Sequence, residues 1–548
     1  MNSKQESVLY LNGNIYTVDA RDSRAEAVLV KDGKIAFVGS NDEAKALAAD
    51  RVVDLEGKTV VPGFIEGHGH LTWGAMDAVF RINLFGVDSA DEYIPKIRKF
   101  IEENPDLEVY EGVGWENPFF GEHGPSRKIL DEICPDKPML LYSHDKHTAW
   151  VNTCTIERCG VTKDATVPPG NVIEREEDGT PSGTFREFAA MALVEKILPE
   201  YGKDHYKKAI RWGLQFFASL GVTAVQDPVL DPNGEAINAL HEMERDGELI
   251  MKYRGAFRTF ENDPYKFMDY MKETSEKVRS HMFKIDQAKI FGDGVVEGRT
   301  AYLKEEYADE PGYFGDPIWK TEDLIAFGKK VDEMGLDLHF HIIGDAACAQ
   351  MLDVFDAIRA ENPPRDRRPV CTHLQVVDPA DYPRLVDHKV ACVTNPYWHF
   401  KYRGFFDEIE QPYLGERAEH EYPMQSMVDA GVILGAASDY NVTPVPAPLA
   451  GIQVGVTRVY VDEDPEDMDR VLAPEERVSR QTLLRAFTMG NAYSARMDDI
   501  TGSIEVGKCA DMVILDRDLF EVPVMEISTI KVLQTISEGK VIYSAEES

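Results

Sequence analysis

Both ends of this chain read as strands and tight turns, while the long stretch between them alternates short apolar strands with helix-like sequence. Residues 8–62 alternate apolar and polar positions around Asn12-Gly13, Asp32-Gly33 and Glu56-Gly57. Asn-Gly and Asp-Gly accept the positive φ that a two-residue hairpin turn requires. "GSIEVGKCADMVILD" (502–516) and "IKVLQTISEGKVIYSAE" (530–546) repeat that style. The ends are therefore expected to fold together as one small sheet domain, residues 1–62 with 500–548, around an inserted α/β body.

In the body, "GVTAVQDPV" (221–229), "AKIFGDG" (288–294), "GLDLHFHIIGD" (335–345), "PVCTHLQ" (369–375), "KVACVTNP" (389–396) and "GVILGAASDY" (431–440) read as short buried strands. Each has helix-like sequence beside it, which suits a (β/α)8 barrel over 63–499 better than a sandwich. The first strand ends at His70, and the next begins roughly 150 residues later, whereas a βα unit takes about 30. A helical or lid region is thus expected as an insertion over about 75–215.

Composition limits the partners. The 59 basic and 96 acidic residues leave a net charge of −37, a surface that repels nucleic acid and anionic lipid. No apolar run reaches the length of a membrane span, and the first residues lack a basic-then-apolar signal pattern. The seven cysteines form no CxxC pair. These features lead us to expect reduced thiols, a cytoplasmic location and a small molecule as partner, with no nucleic acid and no membrane.

The chemistry gathers at strand ends. "VPGFIEGHGHL" (61–71) places His68 and His70 on one side of an extended segment, because the side-chain period there is two. Lys289, His341 (with His339 two before it), His373 and Asp439 close other strands. In a barrel those ends converge on one face. Two adjacent imidazoles there make a chelating pair for zinc, with Asp439 as a further ligand and as the base that takes a proton from water and returns it to a leaving amine.

"PGFIEGHGH", the later His, His and Asp strand ends and "GSIEVGKCADMVILD" resemble the amidohydrolase superfamily. "HDKHTAWVN" (144–152), "AKIFGDGVVEGRTAYL" (288–303) and "HFHIIGDAA" (339–347) resemble its YtcJ-like metal-dependent branch, which includes N-substituted formamide deformylase. The resemblance implies a (β/α)8 TIM barrel with a composite β-sandwich from both termini and a large insertion after the first barrel strand. It implies that His68, His70 and Asp439 hold the more buried of two divalent ions and that His341 and His373 hold the other. Lys289 lies where relatives carry a carboxylated lysine bridging both; a single-metal site with plain Lys289 is the alternative. Zn2+ is expected, with Mn2+, Fe2+ or Co2+ served by the same donors, and a homodimer is an expectation of the same kind. Glu66 departs from the pattern, since relatives usually carry Asp there.

The activity so implied is hydrolysis of a C–N bond in an amide or formamide. The alternatives are a mononuclear deaminase or cyclic amidase and, more remotely, a non-catalytic scaffold. For the substrate, His147 is the candidate holder, with His144 beside it. Arg299 reads either as a clamp for a carboxylate or oxyanion or as a structural ion pair. Tyr397 and Trp398 follow a strand end and, with Trp73 and Phe119, are candidate walls of an apolar pocket or simply packing. Asp345 reads as a helix start or a support behind the ligands.

Overall fold

The computed structural model describes residues 6–87, 89–121, 123–143 and 147–546; His144 lies outside them. The chain divides into two compact units, residues 1–71 with 213–548, and residues 72–212.

The first unit is built on an eight-stranded sheet in sequence order: β1 (Phe64–Glu66), β2 (Val222–Leu230), β3 (Lys252–Arg258), β4 (Phe283–Phe291), β5 (Asp337–Ile342), β6 (Val370–His373), β7 (Ala391–Thr394) and β8 (Ile433–Ala436). Every neighbouring pair is parallel. Helices follow the strands, among them Glu235–Arg245, Thr321–Glu333 and Asp345–Glu361. β2 is buried at every position, as befits a parallel strand covered on both faces.

β1 and β8 meet just beyond their ends. Asp439 N–H donates to the His68 carbonyl at 2.9 Å, and His70 N–H donates to the Tyr440 carbonyl at 2.5 Å. Asn491 clamps the same seam, donating to the carbonyls of Ile65 and Ala436, both at 2.6 Å. The barrel thus closes through backbone bonds made by the metal-ligand candidates themselves.

β3 is absent from the sequence reading. Its "KYRGAFR" does not look like a buried strand, yet Lys252 and Arg254 are fully buried. Lys252 Nζ meets Asp511 at 2.7 Å, and Arg254 meets Asp286 at 2.6 Å and Asp337 at 3.1 Å. Charges buried as pairs hide a strand from any hydrophobic pattern. Asp337, at the start of β5, also receives Arg365 at 3.1 Å and Arg496 at 2.5 Å.

Strands from both ends of the chain share one six-stranded sheet, in which Thr59–Pro62 pairs antiparallel with Met512–Leu515. A four-stranded sheet holds Val8–Leu11, Ala27–Lys31, Lys34–Gly39 and Arg51–Asp54. Val8, Tyr10, Val28 and Val30 of that sheet pack in one core with Ile15, Val60, Met512, Ile514 and Ile536 of the other. The turn at Asp32-Gly33 is the expected hairpin. The turns at Asn12 and Glu56 are corners where the chain leaves one sheet for the other. Positive φ at Asn12 and Glu56 marks a reversal but does not choose the partner strand.

The second unit is not the helical insertion expected. A six-stranded sheet runs through it in the order Val172–Arg175, Pro181–Arg186, Thr148–Val151, Met139–Ser143, Tyr110–Trp115 and Arg81–Asn83. Trp115 and Trp150 are buried in its core beside the helix Tyr93–Glu103. All seven cysteines are free thiols. Among the described residues no helix is long and apolar enough to cross a membrane.

Candidate metal centre

Ligand geometry at this site starts from the β1–β8 seam. Asp439 Oδ1 lies 3.0 Å from His70 Nε2 and 3.6 Å from His68 Nε2. These residues each offer one ligand atom, all within 4.8 Å of one another. Tetrahedral zinc with bonds near 2.0–2.1 Å separates its ligand atoms by about 3.3 Å. The three donors therefore fit a divalent ion in spacing and in chemistry.

Two more histidines complete the face. The His341 and His373 ring centroids lie 4.5 Å apart, and His373 lies 5.2 Å from His68. His341 Nε2 sits 3.0 Å from the Gly294 carbonyl, so it donates there and leaves Nδ1 as the free lone pair. His373 Nδ1 sits 2.9 Å from Asn395 Oδ1, which orients its Nε2 in the same way. Lys289 Nζ reaches to 3.3 Å from His68 Nε2. The structure thus brings His68, His70, Lys289, His341, His373 and Asp439 to one face.

Electrostatics suit metal ligation. Burial, followed by the nearby Lys289 charge, holds His68 well below the usual imidazole range. His341 is also held well below it, by burial and then His373. Burial lowers His373 to about 4. Such lowering favours the neutral imidazole in His68, His341 and His373, the form a ligand must have. Burial pushes the Lys289 amine down to about 7. Burial alone would raise the Asp439 carboxyl, but its bond to His70 and the surrounding basic groups bring it to about 2. His373 and Asp439 carry positive φ, 82° and 56°, strained backbone of the kind that clusters at functional sites.

Glu66 shows what the longer arm does. Oε1 accepts the backbone N–H groups of His68 and Ser438, each at 3.0 Å. One carboxylate therefore ties the His68 and Asp439 segments together from behind. Asp345 accepts the Lys304 N–H at 2.8 Å and opens a helix. The expectation for Glu66 came from resemblance; Asn395 was missed, its only signal being its place just after a strand end.

The substrate candidates separate. Trp398 stacks on His373, with centroids 5.6 Å apart and planes 13° apart. Tyr397 is buried and packs edge-on against Phe487, with no hydrogen-bond partner for its hydroxyl among the described residues. Arg299 is ion-paired with Asp309 and, at 2.8 Å, with Glu310, and it lies over the Tyr413 ring. Of its two readings the structure shows the ion pair; two carboxylates already neutralise it, which leaves a poor clamp. Trp73, Phe119 and His147 belong to the second unit. There Phe119 packs near Tyr93, and His147 Nδ1 faces Glu187 at 3.2 Å.

Histidines, a lysine and an aspartate on the C-terminal ends of a parallel eight-stranded barrel define the metal-dependent barrel class. The chain belongs to the amidohydrolase family, whose pattern matches residues 51–543. It is 30% identical to the protein LONG AFTER FAR-RED 3 of Arabidopsis thaliana, over 98% of this chain and 91% of that one. It is 27% identical to N-substituted formamide deformylase of Arthrobacter pascens, over 99% of both. An uncharacterised metal-dependent hydrolase of Pyrococcus horikoshii has the same fold, with a TM-score of 0.76, 24% identity and coverage of 94% of this chain and 99% of that one.

Proposed function

We propose that this chain hydrolyses a carbon–nitrogen bond other than a peptide bond, converting an amide or formamide of a small molecule into an acid and an amine. The observation that carries this reading is the convergence of His68, His70 and Asp439 within 4.8 Å, beside His341, His373 and Lys289. The end-to-end likeness to a formamide deformylase supports the bond type.

His68, His70 and Asp439 would hold one divalent ion, and His341, His373 and a carboxylated Lys289 would complete a second position. Bound there, such ions make water acidic near pH 7 and polarise a carbonyl. Asp439 takes a proton from the attacking water and returns it to the leaving nitrogen, so that a neutral amine departs. A lysine with its amine near 7 is neutral often enough to add CO2, and the resulting carbamate is an anion where Lys⁺ would be repelled. Trp398, stacked on His373, offers an apolar wall to the substrate.

The test is metal content per chain, by elemental mass spectrometry on protein purified without chelator, followed by a screen of amides and formamides. Two ions, with activity lost on chelation and restored by Zn2+ or Mn2+, is the expected result. One ion would mean a mononuclear site with plain Lys289 and would move deamination forward. No uptake, even after incubation with either metal, would overturn the hydrolase reading.

A further inference from the structure

A row of polar side chains lies inside the barrel beneath the metal centre, and none of them has a part in the chemistry above. His339 is two residues before His341 on β5, and Gln287 is two before Lys289 on β4, so each points to the same side as its partner one level up. Gln226 joins them from β2. All three are completely buried.

Contacts among them run in one direction. His68 Nδ1 is 2.7 Å from His339 Nε2. The Thr372 hydroxyl is 3.0 Å from each of those two nitrogens. On its far side, His339 Nδ1 is 3.3 Å from Gln287 Oε1 and 3.1 Å from Gln226 Nε2. Gln226 Nε2 itself donates to Gln287 Oε1 at 2.8 Å, and Gln226 Oε1 accepts from Ser494 Oγ at 3.0 Å.

Several tautomers satisfy those contacts, and ligation through His68 Nε2 selects one of them. If His68 is to ligate through Nε2, its proton must sit on Nδ1. That N–H needs an acceptor, and the nearest atom is His339 Nε2. A neutral His339 with a lone pair on Nε2 carries its own proton on Nδ1, and Gln287 Oε1 is the acceptor within reach. Gln226 Nε2, 3.1 Å from His339 Nδ1, then donates at 2.8 Å to the same Gln287 Oε1 and not to the ring; Ser494 Oγ lies 3.0 Å from Gln226 Oε1 and 2.9 Å from the Asn491 carbonyl. We propose that His339 is a positioning residue: held in the Nδ1–H form by Gln287, it accepts the His68 Nδ1–H and so fixes both the tautomer and the ring orientation of a metal ligand. Partners behind a ligating histidine are usually carboxylates, carbonyls or water. Here a second, non-ligating histidine takes that place, supplied by the barrel interior.

This inference rests on the metal reading of His68, and the experiment separates the two. Zn2+ affinity is measured by competition with a chromophoric chelator for the wild type, His339→Gln, His339→Met, Gln287→Leu and Thr372→Val. A glutamine places its Oε1 near the position of Nε2 and can still accept; methionine cannot. His339→Met is expected to bind Zn2+ roughly 10–100-fold more weakly, with His339→Gln close to the wild type. Gln287→Leu should weaken binding in the same sense by a smaller factor. As a second readout, Co2+-loaded wild type and His339→Gln should show a slowly exchanging, paramagnetically shifted His68 Nδ1–H resonance that Gln287→Leu broadens. If His339→Met does not fold, His339→Gln, Gln287→Leu and the resonance decide. Equal affinity in the wild type and His339→Met would overturn the inference, as would a loss confined to Thr372→Val, which would make the hydroxyl the true acceptor. Wild type that takes up no metal at all would overturn the proposed function instead.

Discussion

Asp439→Asn is expected to leave a folded barrel with turnover reduced by roughly 10^3–10^4-fold. The substitution keeps the backbone bond from residue 439 to the His68 carbonyl, so the seam stays closed. It removes the only carboxylate in the three-ligand set. An amide oxygen is a weaker ligand than a carboxylate and cannot take a proton from water, and general acid–base catalysis alone is worth about 10^2–10^4-fold. Kinetics and metal content should be measured on the same sample. Loss of turnover with metal retained supports the proton shuttle, and loss of both places Asp439 first as a ligand. Activity within tenfold of the wild type, with metal bound, would overturn the assignment.

Asp337→Asn should be the most destabilising polar substitution in the first unit. Asp337 is buried and faces Arg254, Arg365 and Arg496. Replacing it removes the carboxylate that three guanidinium groups share and leaves them to Asp286, Asp332 and Asp366, and breaking a buried pair costs about 3–5 kcal/mol. Burial alone would raise the Asp337 carboxyl; the Arg496 bonds and the arginine charges bring it down from 3.8 to about 2. Because the folded value is the lower one, the stabilisation is complete above the unfolded value and fades as pH falls from about 4 towards 2. The shift corresponds to roughly 2 kcal/mol, since one unit is worth about 1.4 kcal/mol. Thermal melts at pH 7 should show a clearly lowered first transition in the variant, and the gap to the wild type should narrow as the pH falls. A variant that melts with the wild type at pH 7 would show that Asp286, Asp332 and Asp366 suffice for the three arginines.

What could be read from the sequence follows physical lines. His68, His70, Lys289, His341, His373 and Asp439 were legible because a parallel strand is an apolar run, and its polar end residue stands out against it. His339 was visible as a same-side neighbour of His341 but not as a support for His68. That contact joins β5 to the segment after β1, and spacing along one strand carries no information about it. β3 was hidden because Lys252 and Arg254 spend their charge on buried partners far away in sequence. The sheet of the second unit was missed for a similar reason. Two of its strands, Arg81–Asn83 and Val172–Arg175, are short, and Val172 and Arg175 are exposed. The corners at Asn12 and Glu56 were recognised as turns, but hairpin and corner ask for the same backbone.

The seam between β1 and β8 also bears on how the chain folds. Glu66 and Ser438, which bond across it, are 372 residues apart in sequence. Contacts of such range are slow to form, because the loop-closure entropy is lost before they return anything. The candidate ligands His68, His70 and Asp439 lie on both sides of that junction, so the proposed ion site is not assembled until the ring of strands has met. Ion uptake during refolding should therefore coincide with the last long-range step. An ion already bound would act as a rivet across the junction and oppose its opening.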